Sequence, residues 1–211
     1  MTAFARRPEV LAGAEGVARI IKGDARSEAD LRNFARGLDA IIVILNPPSI
    51  TKPTTLQTEA ATNLIRAIEA EGPKRIVWTS STGLDATRPQ PLAAIFERIA
   101  RNFYVDLGRA ERVVMGSNAD WTIARSVGLT NKPPTGRIRY SFGARVTPSG
   151  PYFFSRADLA KALVELVTDP RASRLIVSLS RAPGRVHRRA AANAAIANEA
   201  GGRGGQTSGP S

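Results

Sequence analysis

Apolar runs and helix-like patterns alternate along the chain from residue 2 to residue 180. Short extended runs of aliphatic side chains are each followed by a stretch in which apolar residues recur with a helical period. This alternation is typical of β-α-β units, in which helices cover both faces of a mostly parallel sheet. The pattern therefore predicts an α/β fold built on a doubly wound parallel sheet.

Capping residues and apolar runs set the bounds of these elements. Ser27, with Asp30 three residues later, predicts a capped helix start, and Ser155 predicts another. The run at 40–45 is continuously apolar, which predicts a strand buried on both faces. The predicted strands are 2–5, 17–22, 40–45, 75–78, 121–124, 137–142 and 174–180, and the predicted helices are 8–11, 27–37, 56–71, 92–115 and 156–167.

Length and composition narrow the class of protein. The chain has 211 residues, which is enough for one α/β domain with its own core. It has no cysteine, so disulfides and thiolate chemistry are excluded. No apolar run approaches the roughly 20 residues of a membrane-spanning helix, and the N-terminus lacks the apolar core of a signal peptide. We therefore expect a cytoplasmic protein that has no membrane partner.

The formal net charge of +12 is high enough to raise the question of nucleic-acid binding. Part of the excess lies near the C-terminus, and the rest is spread along the body instead of being gathered on one helix face. Residues 182–211 are rich in Ala, Gly and Arg and have no Phe, Tyr or Trp to stack on bases. We predict one domain over 1–181, followed by a disordered basic tail over 182–211, and we do not expect a nucleic-acid partner.

Polar or turn-forming residues follow directly after the predicted strands. In a doubly wound sheet, ligands bind beyond the carboxyl ends of the strands, so these positions form the candidate site. A sheet without a ligand needs only turn chemistry there, and that alternative stays open for each position. The candidates are Arg6, Arg7, Asp24, Ala25, Leu45, Asn46, Pro47, Thr79, Ser80, Ser81, Arg125 and Ser126.

Five segments, in their order along the chain, resemble the NAD(P)H-binding atypical short-chain dehydrogenases. They read F-A-R-R-P-E at 4–9, I-K-G-D-A-R at 21–26, V-W-T-S-S-T-G at 77–83, D-W-T-I-A-R-S-V-G-L-T at 120–130 and F-S-R-A-D-L-A at 154–160. Flavin reductases of the biliverdin reductase B type and NmrA-like proteins belong to this group. The resemblance covers about residues 2–180 and implies a Rossmann-type domain with NADP(H) as its cofactor.

The resemblance assigns the first two strand ends to the adenosine half of the cofactor. Arg6 and Arg7 match the basic residues that contact the 2′-phosphate of NADPH, and guanidinium groups bind phosphate in bidentate fashion. Asp24 and Ala25 match residues near the adenine. The alternatives are a solvated turn for the two arginines and a turn-forming role for Asp24.

The later strand ends are assigned to the nicotinamide half. Thr79, Ser80 and Ser81 match the loop that faces the nicotinamide. A serine hydroxyl there can donate to a substrate carbonyl or orient the carboxamide, which makes Ser80 the first candidate catalytic residue. The alternative is that these hydroxyls satisfy local backbone groups. Arg125 and Ser126 match the family's Arg-Pro pair, with serine in place of proline.

The Tyr-x-x-x-Lys pair of many short-chain dehydrogenases is incomplete in this chain. Tyr104 is the second candidate catalytic residue, but Gly108 stands at the lysine position, so no cation there assists proton transfer. Reductases of the flavin reductase type manage without this pair, because their hydride transfer rests mainly on cofactor placement. The single histidine, His187, lies in the predicted tail and is not expected to take part, and no metal site is predicted.

The glycine-rich phosphate loop of the resembled family is also missing, since no G-x-x-G-x-x-G precedes Arg6. The family places a strand, that loop and a helix ahead of the segment that begins here, and the loop holds the pyrophosphate. Without that strand, the segments at 2–5 and 40–45 would flank a gap in the sheet. We expect a truncated or misassigned start at Met1, with cofactor binding weakened or lost.

The resemblance implies an oxidoreductase that transfers hydride from NADPH to a flat conjugated acceptor. A small molecule of the flavin or quinone class is the expected partner. Two alternatives stay open, namely a non-catalytic NAD(P)-sensing regulator of the NmrA-like kind and an inactive fragment.

Overall fold

A computed structural model describes residues 1–71, 75–85, 98–143 and 153–183. The predicted tail beyond its first two residues and the first part of the predicted helix at 92–115 lie outside the described residues. No helix within the described ranges is long and apolar enough to cross a membrane.

The first two strands form a small parallel sheet of their own. Strand β1 (Thr2–Ala5) pairs with β2 (Arg19–Lys22), and a short 3-10 helix at Pro8–Leu11 lies between them in the chain. Strand β2 begins two residues later than predicted. The register sets the last residues of the two strands, Ala5 and Lys22, side by side.

The main sheet has five strands. They are β3 (Ala40–Val43), β4 (Arg75–Ser81), β5 (Asp120–Ser126), β7 (Ile138–Phe142) and β9 (Leu175–Arg181). Their order across the sheet is β3-β4-β5-β9-β7. Strands β3, β4, β5 and β9 are parallel to one another, and β7 runs antiparallel to β9 at the edge. A separate parallel pair joins β6 (Gly128–Thr130) to β8 (Phe153–Ser155). The predicted mostly parallel α/β fold is therefore confirmed.

Four α-helices cover this sheet within the described residues: α1 (Glu28–Ala35), α2 (Leu56–Glu71), α3 (Arg101–Met115) and α4 (Arg156–Thr168). Residues from α1, α2 and α3 share one core with one sheet face, and residues from α4 form the core of the other face. Both predicted caps are confirmed, because the Ser27 and Ser155 hydroxyls accept from backbone N–H groups of α1 and α4.

Strand β3 corrects one prediction. The run at 40–45 was expected to be buried on both faces, but the strand ends at Val43, and the Ile44 side chain is 60% exposed. Ile41, on the face toward α1 and α2, is only 5% exposed. The physical reason is position, since β3 is an edge strand with β4 as its one paired neighbour in the main sheet.

The predicted gap between the segments at 2–5 and 40–45 is present, because no ladder joins β1 to β3 among the described residues. Both strands nevertheless rest on one helical layer. Phe4 of β1 packs in the same core as Leu31 and Ile41, and its ring centroid lies 5.0 Å from that of Phe34. The β1–β2 sheet and the main sheet thus each have a strand edge, at β1 and at β3, whose backbone groups lack a partner strand in the described parts of the chain.

A carboxylate from α3 caps the start of α2. Asp106 is 1% exposed. One of its oxygens accepts from the Gln57 N–H at 2.9 Å, and the other accepts from the N–H and the hydroxyl of Thr58 at 3.0 and 2.6 Å. These bonds satisfy backbone donors that a helix start leaves unpaired, and they fix α2 against α3.

We expect Asp106→Ala to lower the free energy of unfolding by about 2–4 kcal/mol, because it removes a cap and leaves buried donors unpaired. Urea unfolding followed by circular dichroism measures the change. Asp39→Ala is the matched control, since the Asp39 side chain is exposed to solvent. Equal losses in the two variants would contradict the capping role.

Asp158 of α4 holds the turn at residues 135–136. Its carboxylate accepts from the Thr135 N–H and hydroxyl at 2.9 and 3.0 Å and from the Gly136 N–H at 2.9 Å. Burial raises the pKa of this carboxyl, but the hydrogen bonds from Thr135 and Gly136, with the charge of Lys161, outweigh burial and lower it.

A folded-state pKa below the unfolded value means that the ionised carboxylate stabilises the protein above about pH 4 and that this stabilisation is lost as the pH falls. We therefore expect Asp158→Asn to destabilise the protein at pH 7, with the difference from wild type shrinking toward pH 3. Urea titrations at several pH values measure it. A difference that does not change with pH would contradict the ionised role.

Candidate functional site

The carboxyl ends of β1 and β2 present positive charge. Arg6 and Arg7 follow β1 and are exposed. The last residue of β2, Lys22, is exposed and pairs with Ala5, the last residue of β1, in the ladder. Among the described residues, no carboxylate lies within salt-bridge distance of these three side chains. Sequence reasoning missed Lys22, although its place at the end of a strand was a usable signal.

Asp24 follows β2 and organises the turn into α1. One of its carboxylate oxygens accepts from the Arg26 N–H at 2.9 Å, and its own N–H donates to Asp30 at 2.9 Å. Its carbonyl accepts from the Ser27 N–H at 2.9 Å. Ala25 packs against the core. The structure thus gives Asp24 a turn-forming role, and a contact with adenine stays a prediction.

Beyond β3 the chain turns across the start of α2. The Leu45 carbonyl accepts from the Gln57 side chain at 2.7 Å, and the Leu45 side chain packs against the core. Asn46 is exposed at this strand end, whereas Pro47 is buried. Of these three predicted residues, Asn46 offers the accessible polar group.

The hydroxyl groups at the end of β4 differ in their partners. Thr79 donates to the Val43 carbonyl at 2.9 Å, and Thr82 donates to the Ser126 carbonyl at 3.3 Å. Ser81 accepts from the Gly83 N–H at 3.2 Å. Ser80 is 9% exposed, and its hydroxyl has no hydrogen-bond partner among the described residues.

These residues also correct the prediction of a loop after Trp78. Strand β4 continues through Ser81, and β5 continues through Ser126, because their ladder pairs Ser80 with Arg125 and Ser81 with Ser126. Alternation along β4 puts Ser80 on the same sheet face as Trp78, toward α3, and Ser81 on the opposite face. Ser80 and Arg125 therefore lie side by side on the α3 face.

The Arg125 guanidinium is held by a carboxylate of α3. Its Nε donates to Glu111 Oε1 at 2.9 Å, and its Nη2 donates to Glu111 Oε2 at 2.5 Å. Both side chains are buried. A cofactor contact by Arg125 stays a prediction, but the structure commits this side of its guanidinium to Glu111. Sequence reasoning missed Glu111, whose signal was an acid among the apolar residues of one helix face.

Tyr104 lies beside the end of β4. A Cβ built on Gly83 would be 2.5 Å from the Tyr104 hydroxyl oxygen, so only glycine allows this approach. Gly108, one helical turn further along α3, faces Leu84 and brings no charge. The structure thus brings both candidate catalytic residues to the same strand end, since Gly83 is three residues from Ser80.

Helix starts are ready-made phosphate sites, but three of them are already closed in this structure. Ser27 caps α1, Asp106 caps α2, and Ser155 caps α4. The carboxylate of Asp106 would also repel a phosphate at α2. No group of three metal-ligating side chains occurs among the described residues.

Comparison with known proteins identifies the family of this chain. The sequence profile of the NAD(P)H-binding family matches residues 1–170. A Bacillus subtilis (strain 168) protein described as an uncharacterized sugar epimerase, YhfK, is 29% identical over 156 residues. That match covers 72% of this chain and 66% of the relative, so it spans just under two thirds of the relative's length.

Solved structures with this fold include reductases. The oxidoreductase ylbE from Lactococcus lactis is 21% identical, with a TM-score of 0.70 over 89% of this chain and 82% of its own. A Veillonella parvula short-chain dehydrogenase/reductase in complex with NADP is 19% identical, with a TM-score of 0.67 over 87% and 82%. The anaerobillin reductase ChuY from Escherichia coli O157:H7 is 21% identical, with a TM-score of 0.66 over 87% and 86%.

At these identities the solved structures establish the fold alone. The profile match is different in kind, because it covers most of the sequence, including all the strand ends described above. This chain therefore belongs to the NAD(P)H-binding family.

Proposed function

We propose that this protein is an oxidoreductase that transfers hydride from NADPH to a flat conjugated acceptor of the flavin or quinone class. The observation that carries the proposal is the Ser80 hydroxyl, which is buried at the carboxyl end of a central parallel strand and has no hydrogen-bond partner among the residues that the structure describes. A buried hydroxyl without a partner costs about 1–3 kcal/mol, a cost that a ligand with a matching polar atom would offset.

The side chains fit the two ends of the cofactor. Arg6, Arg7 and Lys22 are exposed at the carboxyl ends of β1 and β2 and form no salt bridge with a described carboxylate, which suits the 2′-phosphate. Asn46 and Ser80 supply polar groups at the ends of β3 and β4. Both ends lie at the carboxyl side of parallel strands, where doubly wound sheets bind nucleotides.

The described residues fit the pyrophosphate less well. The starts of α1, α2 and α4 are already capped by side chains of the chain itself. We therefore propose that the arginines supply a larger share of the affinity for the cofactor's phosphates than these three helix starts do.

The bound cofactor would supply hydride from its nicotinamide ring. Ser80 would donate its hydroxyl hydrogen bond to a carbonyl of the acceptor or to the carboxamide, which orients the reacting groups. Tyr104 lines the approach to the same strand end. With Gly108 in place of a lysine, it would act chiefly by packing.

The choice of acceptor rests on the type of chemistry that these residues can assist. A flavin or quinone accepts hydride with little need for a strong protein acid, which suits a site whose described residues include neither the lysine nor a histidine. The single histidine, His187, lies outside the described residues. A relative is described as an uncharacterized sugar epimerase and a structural neighbour as an anaerobillin reductase, and neither description names a flavin or a quinone.

A second candidate function is a non-catalytic NAD(P)-sensing protein. Gly108 at the lysine position favours it, because a sensor needs the cofactor contacts but not the proton-transfer pair. Cofactor binding without oxidation of NADPH in the presence of FMN distinguishes this candidate from the reductase.

We expect the double change of Arg6 and Arg7 to Ala to weaken NADPH binding by about 10- to 100-fold and NADH binding by much less, because only NADPH carries the 2′-phosphate. Fluorescence titration of the purified protein with each cofactor measures both affinities. The matched control is Arg19→Ala, which removes an exposed arginine at the opposite end of β2. Equal losses for the two cofactors would contradict 2′-phosphate recognition, and wild type that binds neither would overturn the cofactor proposal.

We expect Ser80→Ala to lower the rate of NADPH oxidation with FMN by about 10- to 100-fold, since it removes an oriented donor. Tyr104→Phe should stay within about threefold of wild type, because it keeps the packing on Gly83 and removes only the hydroxyl. Stopped-flow absorbance at the NADPH band measures both rates. A larger loss of rate in Tyr104→Phe than in Ser80→Ala would contradict the donor role of Ser80 and would assign that role to Tyr104.

A further inference from the structure

We propose that Glu111 is a positioning residue that keeps the Ser80 hydroxyl available by holding the Arg125 guanidinium on α3. The consequence for catalysis rests on the proposed function. The effect on packing stands by itself, because it concerns only groups within the fold.

Strands β4 and β5 place the two competing side chains next to each other. Ser80 and Arg125 are ladder partners on these neighbouring parallel strands, and their side chains point to the same face. Ladder neighbours on one face lie about 5 Å apart at their Cα atoms, which is well within the reach of an arginine side chain. A guanidinium has five N–H donors, and a serine oxygen is an acceptor that such a group can use.

Glu111 explains why this bond does not form. The carboxylate takes two donors of Arg125 in a forked arrangement, at 2.9 and 2.5 Å. A charged, bidentate pair in a buried place is much stronger than a bond from arginine to a neutral hydroxyl. The guanidinium is thereby fixed against the helix, and the Ser80 hydroxyl stays without a partner.

The face of α3 that carries Glu111 also carries Tyr104. Tyr104 and Glu111 are seven residues apart in α3, which puts them two turns apart on one face. Tyr104 contacts the end of β4 at Gly83, and Glu111 contacts the end of β5 through Arg125. Helix α3 therefore contacts the chain on both sides of Ser80: Tyr104 lies against Gly83, just after β4, and Glu111 binds Arg125 on the neighbouring strand β5.

The inference makes the effect of Ser80→Ala depend on residue 111. With Glu111 present, Ser80→Ala removes an unpaired buried hydroxyl, so the melting temperature should be unchanged or should rise by about 1–4 °C. With Glu111→Gln, the guanidinium loses the charge of Glu111 that draws its Nε and Nη2 to α3, and we expect one of these donors to turn to the Ser80 oxygen. In that background Ser80→Ala should lower the melting temperature by a similar amount.

The experiment compares wild type, S80A, E111Q and the double variant of the full chain by calorimetry. A neutral or stabilising effect of S80A in wild type, together with a destabilising effect of S80A in the E111Q background, supports the inference. The same effect of S80A in both backgrounds overturns it, since Ser80 and Glu111 would then be independent. If E111Q does not give a folded protein, Glu111→Asp, which keeps the charge but shortens the reach, is used with the same expected sign.

Asp120→Asn is the matched control. Asp120 pairs with Arg75 at 3.2 Å at the opposite end of the same two strands, so it tests the loss of a β4–β5 ion pair without touching Ser80. S80A should have the same effect in the wild-type and D120N backgrounds. If the sign changes there as well, general loosening explains the result, and the inference fails.

Oxidation of NADPH with FMN tests the catalytic consequence. E111Q should lower the rate about tenfold in the Ser80 background and have little effect in the S80A background, with the NADPH affinity unchanged in both. Additive losses would overturn the positioning role. If wild type oxidises no NADPH, the proposed function fails, while the calorimetric comparison still decides whether Glu111 keeps Arg125 away from Ser80.

Discussion

The ladder between β4 and its neighbours β3 and β5 is the interaction on which the rest of the structure depends. Strand β4 is central and mostly buried, so every backbone group along it must find a partner strand. Side-chain hydrogen bonds add to that backbone pairing at the strand ends. The Thr79 hydroxyl donates to the carbonyl of Val43, the last residue of β3, and the Thr82 hydroxyl donates to the carbonyl of Ser126, the last residue of β5. The carboxyl ends of β3, β4 and β5 are thus joined to one another, and Ser80 lies near the end of the middle strand of the three.

Buried polar groups then decide where the helices sit. Asp106 fixes the start of α2 to α3, and Glu111 fixes α3 to β5 through Arg125. Each is a carboxylate with several strong donors, which offsets the cost of removing its charge from water. Both carboxylates belong to α3. This helix therefore connects the packing of the first helical layer to the geometry of the candidate site.

Local patterns in the sequence predicted the elements well. Helix α2 has the predicted bounds, and both serine caps were found, because these features depend on neighbours within a turn. The strand ends were less predictable. The polar residues Ser80, Ser81 and Ser126 suggested loops, but ladder partners from distant segments kept them in strands. The role of Glu111 depends on a partner 14 residues away, and that of Asp106 on partners 48 and 49 residues away, distances that no local pattern encodes.

The two ends of the candidate site would recognise ligands by different physical interactions. Around β1 and β2, recognition would come from exposed side-chain charge on Arg6, Arg7 and Lys22, which salt screens strongly. The helix starts contribute little, because capping groups of the chain already occupy those of α1 and α2. At β4, recognition would come from the buried Ser80 hydroxyl, for which distance and direction matter more than salt concentration. Attraction and orientation of the ligand would therefore come from different parts of the chain. Attraction would depend on charge at the small β1–β2 sheet, and orientation on β4, which is paired on both sides in the main sheet.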